Sequence, residues 1–312
     1  MCRRVLVTGA AGYVGSLLGG RLAAGHHVVG TDIRDRAELP FALSRLDVRD
    51  PALADLLRAE RIDHVVHLAS VLDAGRDRAR EFDIDVNGTR NVLRCCLDAG
   101  VGHVTVTSSG AAYGYHADNP AWIDEDQPLR GNPEFAYSDH KRQIEELLAE
   151  YRQRHPRLRQ LILRPGTILG AATDNLITAL FRAKRMIAIR GSDSPFVFAW
   201  DEDVVGAIEH GLRGDLAGIY NLAGDGALTV REIAAILGKP VCALPASLVR
   251  AALRLGRRLG IGRYGPEQVD FLRYRPVLSN RRLKEEFGYR PRKTSEETFR
   301  FYVEHARARG AL

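Results

Sequence analysis

Residues 4–15 read Arg-Val-Leu-Val-Thr-Gly-Ala-Ala-Gly-Tyr-Val-Gly, an apolar run that breaks at Gly9 and resumes as a helical pattern from Tyr13 and Val14. This junction constrains the chain more than any other feature. Gly9, Gly12 and Gly15 allow a turn to tighten until backbone N–H groups and a helix N-terminus meet an anion at close range. Glycines alone are weak grounds, since any tight turn uses them. The strand before and the helix after supply the context that a dinucleotide pyrophosphate needs. Asp32 ends the next apolar run, 17 residues beyond Gly15. A carboxylate there accepts hydrogen bonds from both ribose hydroxyls of an adenosine and repels a 2′-phosphate. NAD is therefore the expected cofactor, with Arg34 and Arg36 the residues that would argue for NADP instead.

Up to about residue 165, short apolar runs alternate with amphipathic stretches. The expected strands are Arg4 to Thr8, His27 to Asp32, Arg45 to Asp47, His64 to Ala69, His103 to Thr107 and Gln160 to Arg164. Most are rich in Val, Ile and Leu, as strands buried on both faces are. Helices are expected over Asp83 to Ala99 and over Glu134 to His155, where Ile144, Leu147, Leu148 and Tyr151 fall at helical spacing. Such alternation implies right-handed crossovers and an α/β, Rossmann-type, doubly wound parallel sheet. After Pro165 the regularity drops. Short apolar pieces at Met186 to Ile189, Phe196 to Trp200 and Ile219 to Leu222 alternate with expected helices near 203–212, 230–237, 247–259 and 295–307. Acids at Asp201, Glu202 and Asp203 suit the positive end of a helix dipole. Residues 1–165 read as a dinucleotide-binding domain. Residues 166–312 read mainly as a smaller C-terminal, substrate-binding lobe, some of whose strands return to the main sheet.

Tyr137 and Lys141 stand at i and i+4, on one face of the long helix. A free phenol, with a pKa of about 10, is a poor proton acceptor at neutral pH. A neighbouring ammonium and a positive nicotinamide ring would stabilise its phenolate. Bringing a phenol to about 7 takes about 4 kcal/mol of differential stabilisation, within reach of two cations in a partly dry pocket. Ser109 ends the fifth strand, on the edge where open parallel sheets collect their ligands, and can hydrogen-bond a reacting oxygen. The plainer alternatives are a turn cap for Ser109 and an exposed helix face for Tyr137 and Lys141.

Taken together these residues resemble the extended short-chain dehydrogenase/reductases of the NAD-dependent epimerase/dehydratase type. The resemblance covers most of the chain. It rests on the Gly9–Gly15 loop, Asp32, Asp47-Val48, His67-Leu68-Ala69, Asn87-Gly88-Thr89, Ser109 with Tyr113-Gly114, Tyr137 with Lys141, and Arg164-Pro165. It implies that Tyr137 is the acid/base, that Ser109 orients the substrate oxygen, and that Lys141 also holds the nicotinamide ribose. Asp47 and Val48 would meet the adenine. Leu68, Ala69 and Ser70 would line the cofactor channel with Asn87, and Pro165 would lie near the carboxamide. Gly110, Gly166, Thr167 and Trp200 are the substrate-side candidates. A homodimer through the helices at 83–99 and 134–155 is a further implication.

The chain departs from the family's pattern in three places. Dehydratases carry an Asp-Glu pair after the hydroxyl residue, whereas Gly110 and Ala111 have no acid–base chemistry, so 4,6-dehydration is not expected. An Asn often found after the sixth strand is replaced by Gly166-Thr167. The stretch Phe196 to Asp203 lacks the Arg and His with which nucleotide-sugar members grip a diphosphate. Hydride transfer at a secondary alcohol or carbonyl therefore remains, either as nucleotide-sugar 4-epimerisation or as a dehydrogenase/reductase on a nucleotide-free, hydroxysteroid- or flavonol-like substrate. Phe196, Phe198 and Trp200 favour the less polar substrate unless they are core. The rival from another class is a non-catalytic dinucleotide-sensing protein, against which the presence of both Tyr137 and Lys141 counts.

Charge and cysteine usage bound the partners. Net charge is +6, yet Arg250 to Lys293 alone holds 13 Arg and Lys against 4 acids, leaving the rest slightly acidic. That unevenness, with no nucleic-acid motif, predicts a small-molecule substrate rather than a nucleic acid. Arg250, Arg254, Arg257 and Arg258 share one face of a helix, and Leu248, Ala252, Leu255 and Leu259 another. Such a helix can lie on an anionic membrane, but the plainer expectation is a packed helix with its arginines in water. No run is long enough to span a membrane. The opening residues have no signal-peptide layout, and Cys2, Cys95, Cys96 and Cys242 form neither a disulfide framework nor a metal pair. The expectation is a cytoplasmic protein with no metal site; His64 and His67, three apart on a strand, point to opposite faces.

Overall fold

The computed structural model describes residues 2–71, 77–259 and 265–312. The first six strands are β1 (Arg4–Thr8), β2 (His27–Asp32), β3 (Ala42–Arg45), β4 (His64–His67), β5 (His103–Thr107) and β6 (Arg159–Pro165). Four short strands form two parallel pairs: β7 (Thr167–Leu169) with β9 (Phe198–Trp200), and β8 (Met186–Ile189) with β11 (Val241–Leu244). Between them the chain returns to the main sheet as β10 (Gly218–Leu222), parallel to β6. The seven-stranded sheet runs β10-β6-β5-β4-β1-β2-β3, with every pairing parallel. Its order reverses at β1 and β4, so the carboxyl ends of those strands open a crevice for a ligand.

The helices are α1 (Tyr13–Leu22), α2 (Leu53–Ala59), α3 (Arg78–Phe82), α4 (Gly88–Ala99), α5 (Ala136–Arg154), α6 (Leu176–Arg182), α7 (Asp201–Gly214), α8 (Val230–Leu237), α9 (Ala246–Arg258), α10 (Gln268–Arg273), α11 (Arg281–Glu285) and α12 (Ser295–Ala308). Strands buried on both faces need apolar cover from each side, and two clusters provide it. One joins Leu6, Val65, Val104 and Ile162 to Leu57, Leu93, Ile144 and Leu148. The other joins Val5, Val7, Val66 and Leu163 to Leu18, Leu22, Val204 and Ile208. Among the described residues no helix is long and apolar enough to cross a membrane.

Three expectations are corrected. The third strand lies at Ala42–Arg45 instead of 45–47, because Val29–Asp32 pair in register with Ala42–Arg45 and Asp47 falls in the following turn. The helix expected to begin at Asp83 begins at Arg78 and passes through a π-helical turn, Asp83–Asn87, before α4. Phe196 and Phe198 belong to the core: with Phe181, Phe299 and Tyr302 they form an aromatic cluster in which Phe198 is fully buried. Those two rings are therefore not available to line a pocket for an apolar substrate.

Candidate active site

Helix α1 opens directly from the glycine turn. Gly9 sits at φ +68°, and a Cβ there would stand 2.8 Å from the Ala69 amide nitrogen. A Cβ on Gly15 would fall 2.2 Å from the Gly9 carbonyl, so the helix packs against its own loop through hydrogen alone. Gly12, the N-cap, brings no side chain to the first-turn N–H groups, which have no partner within a helix. The turn is thus an open, positively polarised cradle that fits a pyrophosphate.

Asp32 lies beside it and is buried. Its Oδ2 accepts from the Ala11 N–H at 3.1 Å, and its Oδ1 accepts from Arg34 N at 3.0 Å and Arg34 Nε at 3.3 Å. Arg36 donates to the Ala11 carbonyl and to Ser16 Oγ. Both arginines are thereby committed to the loop and its carboxylate. A shallow cavity lined by Ile33, Arg45, Leu46, Asp47 and Asp50 opens at the same sheet edge. Asp47 is held by Arg49, which also pairs with Asp83 at 2.7 Å, and Asp83 accepts from Asn87. Val48 is buried against Gly88. Tyr13 reaches the other way, donating to Asp201 Oδ2 at 2.5 Å; Val14 packs at the margin of the core.

Leu68 and Ala69 donate their N–H groups to Thr8 Oγ1, tying β4 to β1 at the crevice. His67 completes that junction, with Nδ1 2.7 Å from Thr8 Oγ1 and Nε2 3.0 Å from Thr89 Oγ1. Burial, reinforced by the nearby Lys141 charge, pushes its pKa down to about 4. His64 bonds Thr105 and stacks on His103, sharing no partner with His67. Ser70 Oγ and the Val71 N–H donate to Asp85, whose other oxygen lies 3.3 Å from His140 Nδ1. Burial pushes the Asp85 carboxyl up, but the His140 contact and the Lys141 ammonium outweigh it and hold it below its ordinary value.

Ser109 ends β5 in extended backbone and caps a 3₁₀ turn, Gly110–Tyr113, its Oγ accepting from Ala111 N at 3.1 Å. That bond engages an acceptor lone pair and leaves the hydroxyl proton free to donate. Ser138 Oγ donates to the Ala111 carbonyl at 2.7 Å, which fastens the first turn of α5 to the turn after Ser109. Tyr137 is half-buried and Lys141 buried. The Lys141 Nζ stands 5.5 Å from the Tyr137 ring centre and donates to the Thr107 carbonyl. Ser109, Tyr137, Lys141 and the glycine turn are therefore gathered at one edge of the sheet.

Beneath them lies a network that sequence reasoning missed. Glu145, one turn beyond Lys141, accepts from Ser108 Oγ at 2.6 Å and forms a buried two-pronged ion pair with Arg164. Arg164 donates to Tyr113 OH, which donates to Asn221 Oδ1 on β10. Asn221 in turn donates its backbone N–H to Glu125 Oε1. The i, i+4, i+8 spacing of Tyr137, Lys141 and Glu145 was the available signal. Arg275 was also missed: its buried guanidinium stacks 3.6 Å from the Phe196 ring centre and donates to Ser194, with no acidic partner among the described residues.

The substrate-side candidates fare differently. A Cβ on Gly110 would meet the Leu278 side chain at 3.0 Å, and one on Gly166 the Val197 carbonyl at 2.8 Å. These glycines make room for neighbouring chain, which is a packing reason for their small size. Thr167 opens β7, and Pro165 ends β6 opposite Leu222. The Trp200 ring is occupied by Arg292, Lys293 and Phe301, contacts that fasten β9 to the C-terminal region. Among the described residues no cluster of three His, Cys, Asp or Glu could hold a metal ion.

The parallel sheet, its glycine turn and the Ser109–Tyr137–Lys141 grouping define a dinucleotide-binding enzyme of the Rossmann type. Residues 5–223 match the model of the NAD dependent epimerase/dehydratase family, and the chain belongs to that family. It is an NAD-dependent enzyme of hydride transfer at a secondary alcohol or carbonyl carbon. An N-acetyl-α-D-glucosaminyl-diphospho-ditrans,octacis-undecaprenol 4-epimerase of Escherichia coli O157:H7 is 31% identical over 239 residues, covering 74% of this chain and 70% of that protein. An uncharacterised Mycobacterium tuberculosis protein is 28% identical over 312 residues, 96% of this chain and 82% of its own. The Thermus thermophilus UDP-glucose 4-epimerase structure in complex with NAD superposes with a TM-score of 0.75 at 26% identity, covering 99% of this chain and 100% of that one.

His67 gives the region an acid sensitivity whose sign is fixed. Its pKa is about 4 folded and about 6.5 unfolded, so its contribution is full above about 6.5 and is lost as pH falls towards 4. Urea titrations should show about 3 kcal/mol of stability disappearing across that window. In His67→Gln the acid limb should be shallower by a similar amount; equal limbs would remove His67 as the cause.

Proposed function

We propose that this protein is a 4-epimerase acting on a sugar held through a diphosphate. The carrying observation is a complete Ser109–Tyr137–Lys141 centre followed directly by buried Gly110 and Ala111. One proton-transferring oxygen is present, and no second acid follows it for water loss. The Escherichia coli relative's 4-epimerase name supports the same reading. Arg275, a buried cation without an acidic partner among the described residues, is our candidate for the diphosphate grip that is missing between Phe196 and Asp203.

Gly9, Gly12, Tyr13, Val14 and Gly15 would hold the pyrophosphate of NAD, Asp32 the adenosine ribose, and Asp47 and Val48 the adenine. Leu68, Ala69, Ser70 and Asn87 would line its channel, Lys141 would hold the nicotinamide ribose, and Pro165 would lie near the carboxamide. NAD, when bound, supplies a hydride acceptor that later becomes the donor. Ser109 donates its free proton to the substrate oxygen and holds it in place. The Tyr137 phenolate, stabilised by the Lys141 ammonium, would take the proton from the sugar's C4 hydroxyl, stand as the neutral phenol while the keto sugar turns over, and then return the proton. We place the protein in the cytoplasm, where its four free thiols persist, and as a homodimer through α4 and α5. Light scattering at micromolar concentration should give twice the chain mass; a monomer would remove the dimer.

The reaction is tested by NMR of UDP-glucose, UDP-N-acetylglucosamine and a polyprenyl-diphospho-N-acetylglucosamine, each incubated with the enzyme and NAD. One of them should yield its C4-inverted sugar with no net NADH, and Tyr137→Phe should lower that turnover by about 100- to 10,000-fold. A released ketone with stoichiometric NADH would make the protein a dehydrogenase instead. Cofactor choice is tested at Asp32. Charge-assisted hydrogen bonds contribute about 1.5–3 kcal/mol each, so Asp32→Ala should weaken NADH by at least about tenfold. The same change frees Arg34 and should narrow or invert the preference over NADPH in fluorescence titrations. An unchanged ratio would take Asp32 out of cofactor selection.

A further inference from the structure

Helix α9 is the amphipathic element that the site above does not use. The sequence leads one to expect its leucine face packed and its arginines in water; the structure turns that face outwards. No residue of Ala246–Arg258 is buried. Leu248 is 55% exposed, Leu255 58% and Leu259, just beyond the helix, 59%. With Ala252 they fall at i, i+4, i+7 and i+11, a continuous apolar stripe. The half-covered positions, Val249, Arg250, Leu253 and Gly256, form a separate face, and the helix's contacts run to α10.

The arginines divide in the same way. Arg250 pairs with Asp270 at 2.5 Å and Arg257 with Glu267 at 3.6 Å, both acids of the α10 segment. Arg254 and Arg258 are exposed and have no acidic partner among the described residues. We infer that α9 docks the protein on an anionic lipid bilayer, with the leucines entering the acyl boundary and Arg254 and Arg258 meeting headgroup phosphates. Charge selects this occupant. A second copy pairing through the same stripe would set two rows of arginine against each other, whereas an anionic surface neutralises them.

The docking face is one helix removed from the candidate site. On α10, Phe271 makes ring contacts with Tyr115 and Phe135, and Phe135 is the N-cap of α5, two residues before Tyr137. A bilayer under α9 would therefore lie on the side of the molecule where the substrate lobe meets the site. The inference stands on α9 alone and does not depend on the epimerase reading.

Co-sedimentation of the full chain with phosphatidylcholine vesicles, plain or with about 30% phosphatidylglycerol, tests it. The protein should prefer the anionic vesicles by at least about tenfold, and added salt should weaken that preference. Arg254→Gln with Arg258→Gln should weaken binding by about 30-fold, at roughly fivefold per arginine near such a surface. The triple variant Leu248→Gln, Leu255→Gln, Leu259→Gln should lose vesicle binding while keeping its melting temperature and its NADH affinity, since none of the three is buried. Wild-type protein indifferent to vesicle charge, or a triple variant that binds as wild type, would overturn the inference. So would self-association that the triple variant abolishes, which would make the stripe a contact between copies.

Discussion

The buried ion pair between Glu145 and Arg164 is the constraint on which the site depends. Each oxygen of Glu145 receives a guanidinium N–H, and one also takes the Ser108 hydroxyl. The pair therefore locks α5 to the ends of β5 and β6 in both rotation and height. Tyr137 and Lys141 ride on the same face of that helix, so their position relative to Ser109 follows from a contact two turns away. Burying two charges is costly unless their hydrogen bonds are satisfied. Here the remaining guanidinium donor is taken by Tyr113 and the Glu125 carbonyl. The fold spends polar burial on geometry at the place where geometry decides the chemistry.

Around this clamp the charges near Lys141 are arranged to keep one ammonium well placed. Asp85 stays ionised beside it, and His67 stays neutral, so one neighbour attracts and the other adds no competing cation. The π-helical turn that carries Asp85 explains how a single acid can serve Ser70, Val71 and His140 at once. Such single π-turns recur at functional sites, and this one carries the acid that joins the end of β4 to α5.

Much of this was legible in the sequence, for identifiable reasons. Strands β1, β2 and β5 lie where hydrophobic pattern puts them, because buried parallel strands leave little freedom in their composition, and helix α8 spans its expected residues. The glycine turn and the Tyr137–Lys141 spacing were visible because each needs a fixed residue at a fixed offset. What was not legible depends on partners distant in sequence. The register of β3 is set by β2, and Phe196 and Phe198 look like either core or pocket until Phe299 and Tyr302 arrive from α12. Arg164 showed as a family residue, but its partner Glu145 did not stand out, since one more acid on a charged helix carries no mark. The outward face of α9 was misjudged because amphipathicity reports two faces and does not say which of them meets the protein.

Asn221 gives the site a direction in time. It lies 108 residues beyond Tyr113, yet it accepts that tyrosine's hydroxyl proton and holds Glu125 and the Ile123 carbonyl. A chain emerging from the ribosome can pair β1 to β6 and close the glycine turn long before β10 exists. Through that interval Tyr113 keeps its Arg164 donor but lacks the acceptor that Asn221 supplies. The hydrogen-bonded floor beneath Ser109 is therefore closed by a strand from the later half of the chain, so its completion waits on a contact that the first 165 residues cannot make by themselves.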